Sequence, residues 1–208
     1  MTLIAPYARP KARPGEVIGL LGGSFDPAHG GHAHITRAAL RRFDLDRVWW
    51  LVSPGNPLKS RGPAPMEIRV EAARDIMDHP DVAISDFELH AGTRFTAQTL
   101  AALKAAHPGV RFVWLMGADN LAQFDHWQDW RWIMENVPIG VLARPGQRIS
   151  ARMSKAAKIY QDYRLPGRMS RALGAGEAPR WCFINMPMRE ISSTRLRAAG
   201  HWPEAKSR

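Results

Sequence analysis

From Glu16 onward, short apolar runs rich in β-branched and aromatic residues alternate with longer stretches in which apolar side chains return every three to four positions. The runs predict strands at Val17 to Leu21, Arg47 to Ser53, Val82 to Leu89, Arg111 to Met116, Ile139 to Ala143 and Trp181 to Asn185. The stretches between them predict helices over Gly30 to Phe43, Pro65 to Met77, Thr96 to Ala106 and Leu121 to Asn136, with a short one after Ser193. Strand and helix alternating in this way build a parallel sheet covered on both faces, so the fold class expected is α/β, a doubly wound parallel sheet in a single domain. That domain covers residues 16–208, and residues 1–15, interrupted by Pro6, Pro10 and Pro14, read as a flexible lead-in. The rhythm lapses between Arg144 and Arg180, a basic stretch with three prolines, the sequence GAGEAP and only a weak helical signal around Ala151 to Tyr163. It is expected as an insertion or a mobile flap.

A chain of 208 residues, 45% hydrophobic and 23% charged, has ordinary globular composition and enough length to bury a sizeable core. Its 29 Lys and Arg against 19 Asp and Glu leave a formal charge of +10, which favours anionic partners such as nucleotides, nucleic acid or an acidic membrane. Cys182 is the single cysteine, which excludes an internal disulfide and a Cys-rich zinc site and fits a reducing cytoplasm. The opening MTLIAPYARPKARPGE lacks the apolar run of a signal peptide, and no later run approaches the roughly 20 residues of a membrane span.

The candidate chemistry begins at GGSFDPAHGGH, Gly22 to His32, directly after the first predicted strand and at the start of the first predicted helix. In an open α/β sheet the crevice at the carboxyl ends of the strands is where nucleotides bind. Gly22 and Gly23 permit a tight turn and a close approach of backbone to phosphate, and Pro27 stiffens the loop. His29 and His32 stand three apart, on one face of the first helical turn, beside free N–H groups and the positive end of the helix dipole. Two imidazoles there suit the holding of triphosphate oxygens while negative charge moves onto a departing pyrophosphate. Taken singly, each histidine also reads as a cap or surface residue. His34 could join them in a transition-metal site, but it leaves the shared face and no carboxylate or Cys partner accompanies it, so no metal site built from protein ligands is expected. Near the other end, ISSTRLR, Ile191 to Arg197, places three hydroxyls before a helical stretch. It reads either as an N-terminal cap or as an anion site in which hydroxyls, helix amides and Arg197 hold the β and γ phosphates.

GGSFDPAHGGH and ISSTRLR resemble the GGSFDPxHxGH and ISSTxxR signatures of the nicotinate and nicotinamide mononucleotide adenylyltransferases, within the HxGH nucleotidyltransferase superfamily, and the similarity runs from about Val17 to Arg197. The resemblance implies a Rossmann-like sheet and an enzyme of NAD biosynthesis that joins the AMP half of ATP to a pyridine mononucleotide. It implies ATP contacts from Gly22, Gly23, Ser24, Phe25, His29, His32, Asp119, Ser192, Ser193, Thr194 and Arg197, with His29, His32, Lys59 and Arg197 acting on the reacting phosphates. Lys59 of SPGNPLK resembles the family's lysine after a proline-rich turn. Asp119 of GADN resembles its sugar-binding aspartate, a helix cap being the plainer reading. For the mononucleotide the resemblance implies Asp26, Thr93 and Thr96 of TRFTAQTL, Arg144 of ARPG at the phosphate, and Trp127 stacked on the pyridine ring. Trp130 and Ile133 have instead the spacing of a buried helix face.

A mononucleotide phosphate, with a second pKa of about 6, is mostly dianionic at neutral pH and needs no general base to attack the α-phosphorus in line. Mg²⁺ is expected with ATP, held mainly by phosphate oxygens and water. The expected partners are therefore ATP and nicotinate mononucleotide, with no nucleic acid and no membrane; a homo-oligomer is left open. The choice of nicotinate over nicotinamide rests on the resemblance. Rival readings are another member of the superfamily, using pantetheine phosphate or CTP, and a noncatalytic nucleic-acid-binding module motivated by the +10 charge.

Overall fold

A computed structural model describes residues 10–55, 62–143, 148–186 and 202. The strands are β1 Val17–Gly23, β2 Arg47–Val52, β3 Val82–Ser85, β4 Arg111–Gly117, β5 Ile139–Ala143, β6 Arg164–Leu165 and β7 Trp181–Asn185. The helices are α1 Gly30–Phe43, α2 Met66–Ile76, α3 Phe87–Ala91, α4 Thr96–Ala106, α5 Ala118–Ala122, α6 Trp130–Asn136, α7 Arg148–Arg152 and α8 Lys155–Ile159. All seven strands join one sheet in the order β3-β2-β1-β4-β5-β7-β6, every neighbouring pair parallel. This is the α/β, Rossmann-like, doubly wound architecture expected from the alternation of strand and helix.

Successive side chains along a strand point to opposite faces, so each central strand feeds two cores. Ile18, Leu20, Trp49, Leu51, Phe112, Trp114 and Met116 pack with Leu100, Leu103 and Ile133 on one face. Val17, Leu21, Trp50, Val113 and Leu115 pack with Ala39, Phe43, Val70 and Ala73 on the other. The strand order reverses between β1 and β4, which opens a crevice at their carboxyl ends. The register sets Leu21 opposite Leu115, so Gly22 and Gly23 come level with Met116 and Gly117. Gly22 is required there, because a Cβ would run into the indole of Trp114.

Three expectations change. The apolar run read as one strand from Val82 to Leu89 leaves the sheet after Ser85, whose hydroxyl accepts a hydrogen bond from Phe87 N–H at 3.2 Å; α3 follows and ends at Gly92 with φ 66°. The single helix read over Leu121 to Asn136 is broken into α5, a 3-10 turn at Phe124–His126, and α6, with Asp129 at φ 53° between the last two. The basic stretch read as an insertion or mobile flap is built onto the sheet from Arg148 onward, with Ala151, Ala156, Tyr160 and Leu173 buried. Tyr160 fixes it by donating to Glu135 Oε1 at 2.6 Å, while its carbonyl accepts from Trp181 Nε1 at 2.7 Å. Within it β6 pairs with β7 at the rim of the sheet and lays the Arg164 guanidinium 5.4 Å from the Trp181 ring and 5.8 Å from the Phe183 ring, and a 3-10 helix at Gly167–Ala172 follows. Of the expected lead-in, residues 10–15 are tied down: Gly15 N–H donates to Gly109 at 2.8 Å and Arg47 reaches the Lys11 carbonyl at 3.2 Å. The helix predicted after Ser193 lies outside the described residues, among which no helix is long and apolar enough to cross a membrane.

Candidate active site

The loop from Ser24 to Ala28 carries the chain from β1 into α1 across the mouth of the crevice. Phe25 holds it with φ 45°, a left-handed conformation that costs a non-glycine residue free energy. Its ring, 2% exposed, is stacked on Trp50 with centroids 4.7 Å apart and an interplanar angle of 9°. That packing stabilises the strained turn, and it leaves only the Phe25 backbone for a nucleotide.

His29 and His32 build the start of α1 as well as lining it. His29 is the N-cap residue, and its Nδ1 accepts from Gly31 N–H at 3.0 Å; His32 Nδ1 in turn accepts from His29 N–H at 3.2 Å. This reciprocal cap is normally made by Ser or Thr with Glu or Gln. With Nδ1 of both rings accepting, the proton of each neutral imidazole is on Nε2, so Nε2 is the donor atom of both. The rings are 3.9 Å apart; His29 is buried and His32 half-buried. Behind them, Trp50 Nε1 donates to Thr36 Oγ1 at 2.7 Å and Thr36 Oγ1 donates to the His32 carbonyl at 2.9 Å, fastening the first turn of α1 to β2.

Across the crevice, Asp119 occupies the first turn of α5, exposed, with its carboxylate Oδ1 where a Cβ on Gly117 would stand. Only glycine at 117 admits this pose. Trp127 follows the 3-10 turn, half-buried, and meets Phe124 and Trp114 at 5.2 and 6.3 Å in edge-to-face contacts. It packs at the margin of the core with part of its ring left uncovered, whereas Trp130 and Ile133 are buried, as their spacing predicts.

The loop between α3 and α4 is tied from beneath. Thr93 Oγ1 lies 2.9 Å from Thr99 Oγ1, and Thr93 N–H donates to the Glu88 carbonyl at 3.1 Å. Glu88 is buried, and desolvation pushes its carboxyl up to about 7 against the opposing effect of its hydrogen bond with Thr99. Thr96, the first residue of α4, is half-buried. Asp26 Oδ1 accepts from Ala64 N–H at 3.2 Å and from Trp202 Nε1 at 2.6 Å, so this carboxylate braces the loop internally. Ser24 is half-buried, with its carbonyl turned to Arg69.

Thus Gly22, Gly23, Ser24, His29 and His32 converge with Gly117 and Asp119 at the strand reversal. Lys59, Arg144, Ser192, Ser193, Thr194 and Arg197 lie outside the described residues. Among the described residues no group of three or more His, Cys, Asp or Glu could hold a metal ion. Sequence reasoning did not single out Arg69, Glu88 or Trp202. For Arg69 a signal was present: it lies four positions before Ala73, within the apolar stripe of α2.

A cytidylyltransferase-like family model matches residues 20–199. A protein of Ruegeria pomeroyi named "Probable nicotinate-nucleotide adenylyltransferase" is 64% identical over 197 residues, covering 95% of this chain and 92% of its own. A protein of the same name from Roseobacter denitrificans is 65% identical over 193 residues, covering 93% and 97%. Among solved structures, the Plasmodium falciparum nicotinic acid mononucleotide adenylyltransferase complexed with NaAD superposes with a TM-score of 0.68 at 18% identity, covering 88% of this chain and 83% of that one, a likeness of fold. On these matches, with both signature motifs present in the sequence, the chain belongs to the nicotinate-nucleotide adenylyltransferases of the cytidylyltransferase-like family.

Proposed function

We propose that this enzyme transfers the adenylyl group of Mg-ATP to nicotinate mononucleotide, giving nicotinate adenine dinucleotide and pyrophosphate, and that it does so through the residues gathered at the β1–β4 reversal. The observation that carries the reading is the reciprocal His29–His32 cap, which aligns two Nε2–H donors at a helix N-terminus. The names of the close relatives support the nicotinate form of the acceptor.

In this mechanism a 5′-phosphate oxygen of the mononucleotide forms a bond to the α-phosphorus of ATP as the bond from that phosphorus to the α–β bridging oxygen breaks. Pyrophosphate leaves with that electron pair. No proton has to be removed from the nucleophile, so the protein's work is positioning and charge stabilisation. His29 and His32 donate from Nε2 to the phosphate oxygens on which charge accumulates. Because their Nδ1 atoms are already engaged, the donors are oriented before substrate arrives. Gly22 and Gly23 bring backbone close to the phosphates, Asp119 accepts from ribose hydroxyls, and Trp127 stacks on the pyridine ring. Lys59 and the 191–197 motif add cationic and hydroxyl donors to the triphosphate, Arg144 meets the mononucleotide phosphate, and Thr93 and Thr96 border the pyridine substituent. The metal enters as part of Mg-ATP, bound by phosphate oxygens and water. Such an enzyme works on small molecules in the cytoplasm, without nucleic acid or membrane.

Pyrophosphate release from Mg-ATP, with nicotinate and nicotinamide mononucleotides supplied separately at equal concentration, tests the reading. Turnover should strongly prefer the nicotinate form. Equal or greater turnover with the amide would overturn the acceptor, and release only with pantetheine phosphate, or only with CTP as donor, would overturn the reaction.

A further inference from the structure

Arg69, on α2, is 1% exposed, and its guanidinium is hydrogen-bonded to three main-chain carbonyls from separate segments of the chain. Nε donates to Ala64 at 2.7 Å, while Nη1 donates to Ser24 at 2.6 Å and to Ser53 at 2.8 Å. A buried charge is costly unless polar partners surround it, and carbonyl dipoles do so here. Burial lowers its pKa, with Asp26 and Glu67 opposing, so the geometry and the charge balance agree.

The three carbonyls have a common location. Ser53 N–H donates to Gly23 O at 2.9 Å, the last rung between the β1 and β2 segments; immediately beyond it the Ser24 and Ser53 carbonyls both turn onto the same guanidinium nitrogen. Arg69 therefore terminates the β1–β2 ladder where a strand pair would otherwise splay. A second route runs from the same side chain to the same loop: Nε holds the Ala64 carbonyl, and Ala64 N–H holds Asp26 Oδ1. Ser24 and Asp26, the residues on either side of the left-handed Phe25, are thus both referred to one arginine. That loop ends three residues later at His29.

We propose that Arg69 is a positioning residue for adenylyl transfer: its planar guanidinium sets the loop from Ser24 to Asp26, and through it the His29–His32 donor pair, relative to the turn that follows β2. The proposal rests on the reading that those histidines act on the triphosphate. Lysine does not substitute for arginine in this role, because one ammonium cannot reproduce a rigid array spanning three carbonyls.

The experiment compares wild type with Arg69→Lys and Arg69→Met by steady-state pyrophosphate release and by hydrogen exchange of the free protein. Misplaced reacting groups lower turnover more than affinity, so kcat of Arg69→Lys should fall about tenfold to a hundredfold. KM for the mononucleotide should stay within about threefold. Exchange should rise in peptides covering residues 22–32 and 51–55 while those of β5 and α4 stay protected. A kcat within about threefold of wild type in both variants would overturn the proposal. So would exchange that rises equally across the sheet, with turnover recovered at a temperature where the variant is fully folded, because Arg69 would then be a stability residue only. Wild type that releases no pyrophosphate would sink the underlying functional reading, whereas the exchange pattern would still decide whether Arg69 sets the loop.

Discussion

Glu88→Gln should stabilise the fold at pH 8 and leave it nearly unchanged at pH 4. Below pH 4.5 the carboxyl is protonated in both the folded and the unfolded chain, so its burial beside Thr99 costs little. As pH rises from 4.5 to about 7 the unfolded chain ionises while burial keeps the folded carboxyl neutral, so the unfolded state gains and wild-type stability falls across that window. Above about 7 both states are ionised and the loss levels off. Raising a carboxyl from 4.5 to about 7 corresponds to about 3 kcal/mol at full ionisation. Glutamine has nearly the same shape, retains a hydrogen-bonding partner for Thr99 and never ionises, so the difference between variant and wild type isolates this group from every other titration. Urea unfolding of both proteins at pH 4, 6 and 8 should show a gap in favour of the glutamine variant that opens steadily and reaches about 3 kcal/mol. A gap that does not change with pH, or a variant less stable than wild type at pH 8, would refute the argument.

His32→Glu keeps a side chain able to accept from the His29 N–H, as glutamate does at this position of a helix, but its carboxylate has no N–H with which to replace the Nε2–H donor. Turnover should fall by about two or more orders of magnitude with little change in thermal stability; a normal rate would remove His32 from the reaction. Trp127→Ala should weaken mononucleotide binding by about 1 to 3 kcal/mol and ATP binding much less, as titration calorimetry would show; equal weakening of both would return Trp127 to the core. Tyr160→Phe deletes the bond to Glu135, and should cost about 1 to 2 kcal/mol in denaturant unfolding while leaving turnover near wild type. An unchanged midpoint would mean that this bond does not fasten residues 148–160.

The elements legible in the sequence are those with sustained periodicity. α1, α4, β5 and β7 fall at the expected residues because each carries its apolar pattern to both ends. The run after Val82 misleads because Phe87 and Leu89 repeat the two-residue spacing of Val82 and Ile84, though one residue out of phase, and the Ser85 side chain turning back onto Phe87 shows that the strand has ended. Between Arg148 and Ala172 each helix or strand is too short to show a period, so its attachment through Tyr160 is invisible without coordinates. At the candidate site, the strand-to-helix loop that the fold sets at the β1–β4 reversal was legible and the local contacts of its residues were not. Histidine is not a usual capping residue, and nothing in GGSFDPAHGGH says that Nδ1 of both rings is used by the backbone. Arg69 of α2 reads as a solvated charge like Arg74, although its place in the apolar stripe hints otherwise. Trp202 lies far from Asp26 in sequence, and the contact exists only because the fold returns the chain to its first loop.

The two-residue strand β6 bears on how the enzyme survives at high concentration. An open parallel sheet has two rims, and any long rim of unpaired amides and carbonyls is a template on which another chain can add a strand. At this rim the outermost strand is only Arg164 and Leu165, paired with Trp181 and Cys182 and stopping short of Phe183 to Asn185, and the guanidinium lying over Trp181 and Phe183 sets a charge beside it. A short rim carrying a charge is a poor template for a second copy's strand, and it stands at the far side of β5 and β7 from the β1–β4 crevice.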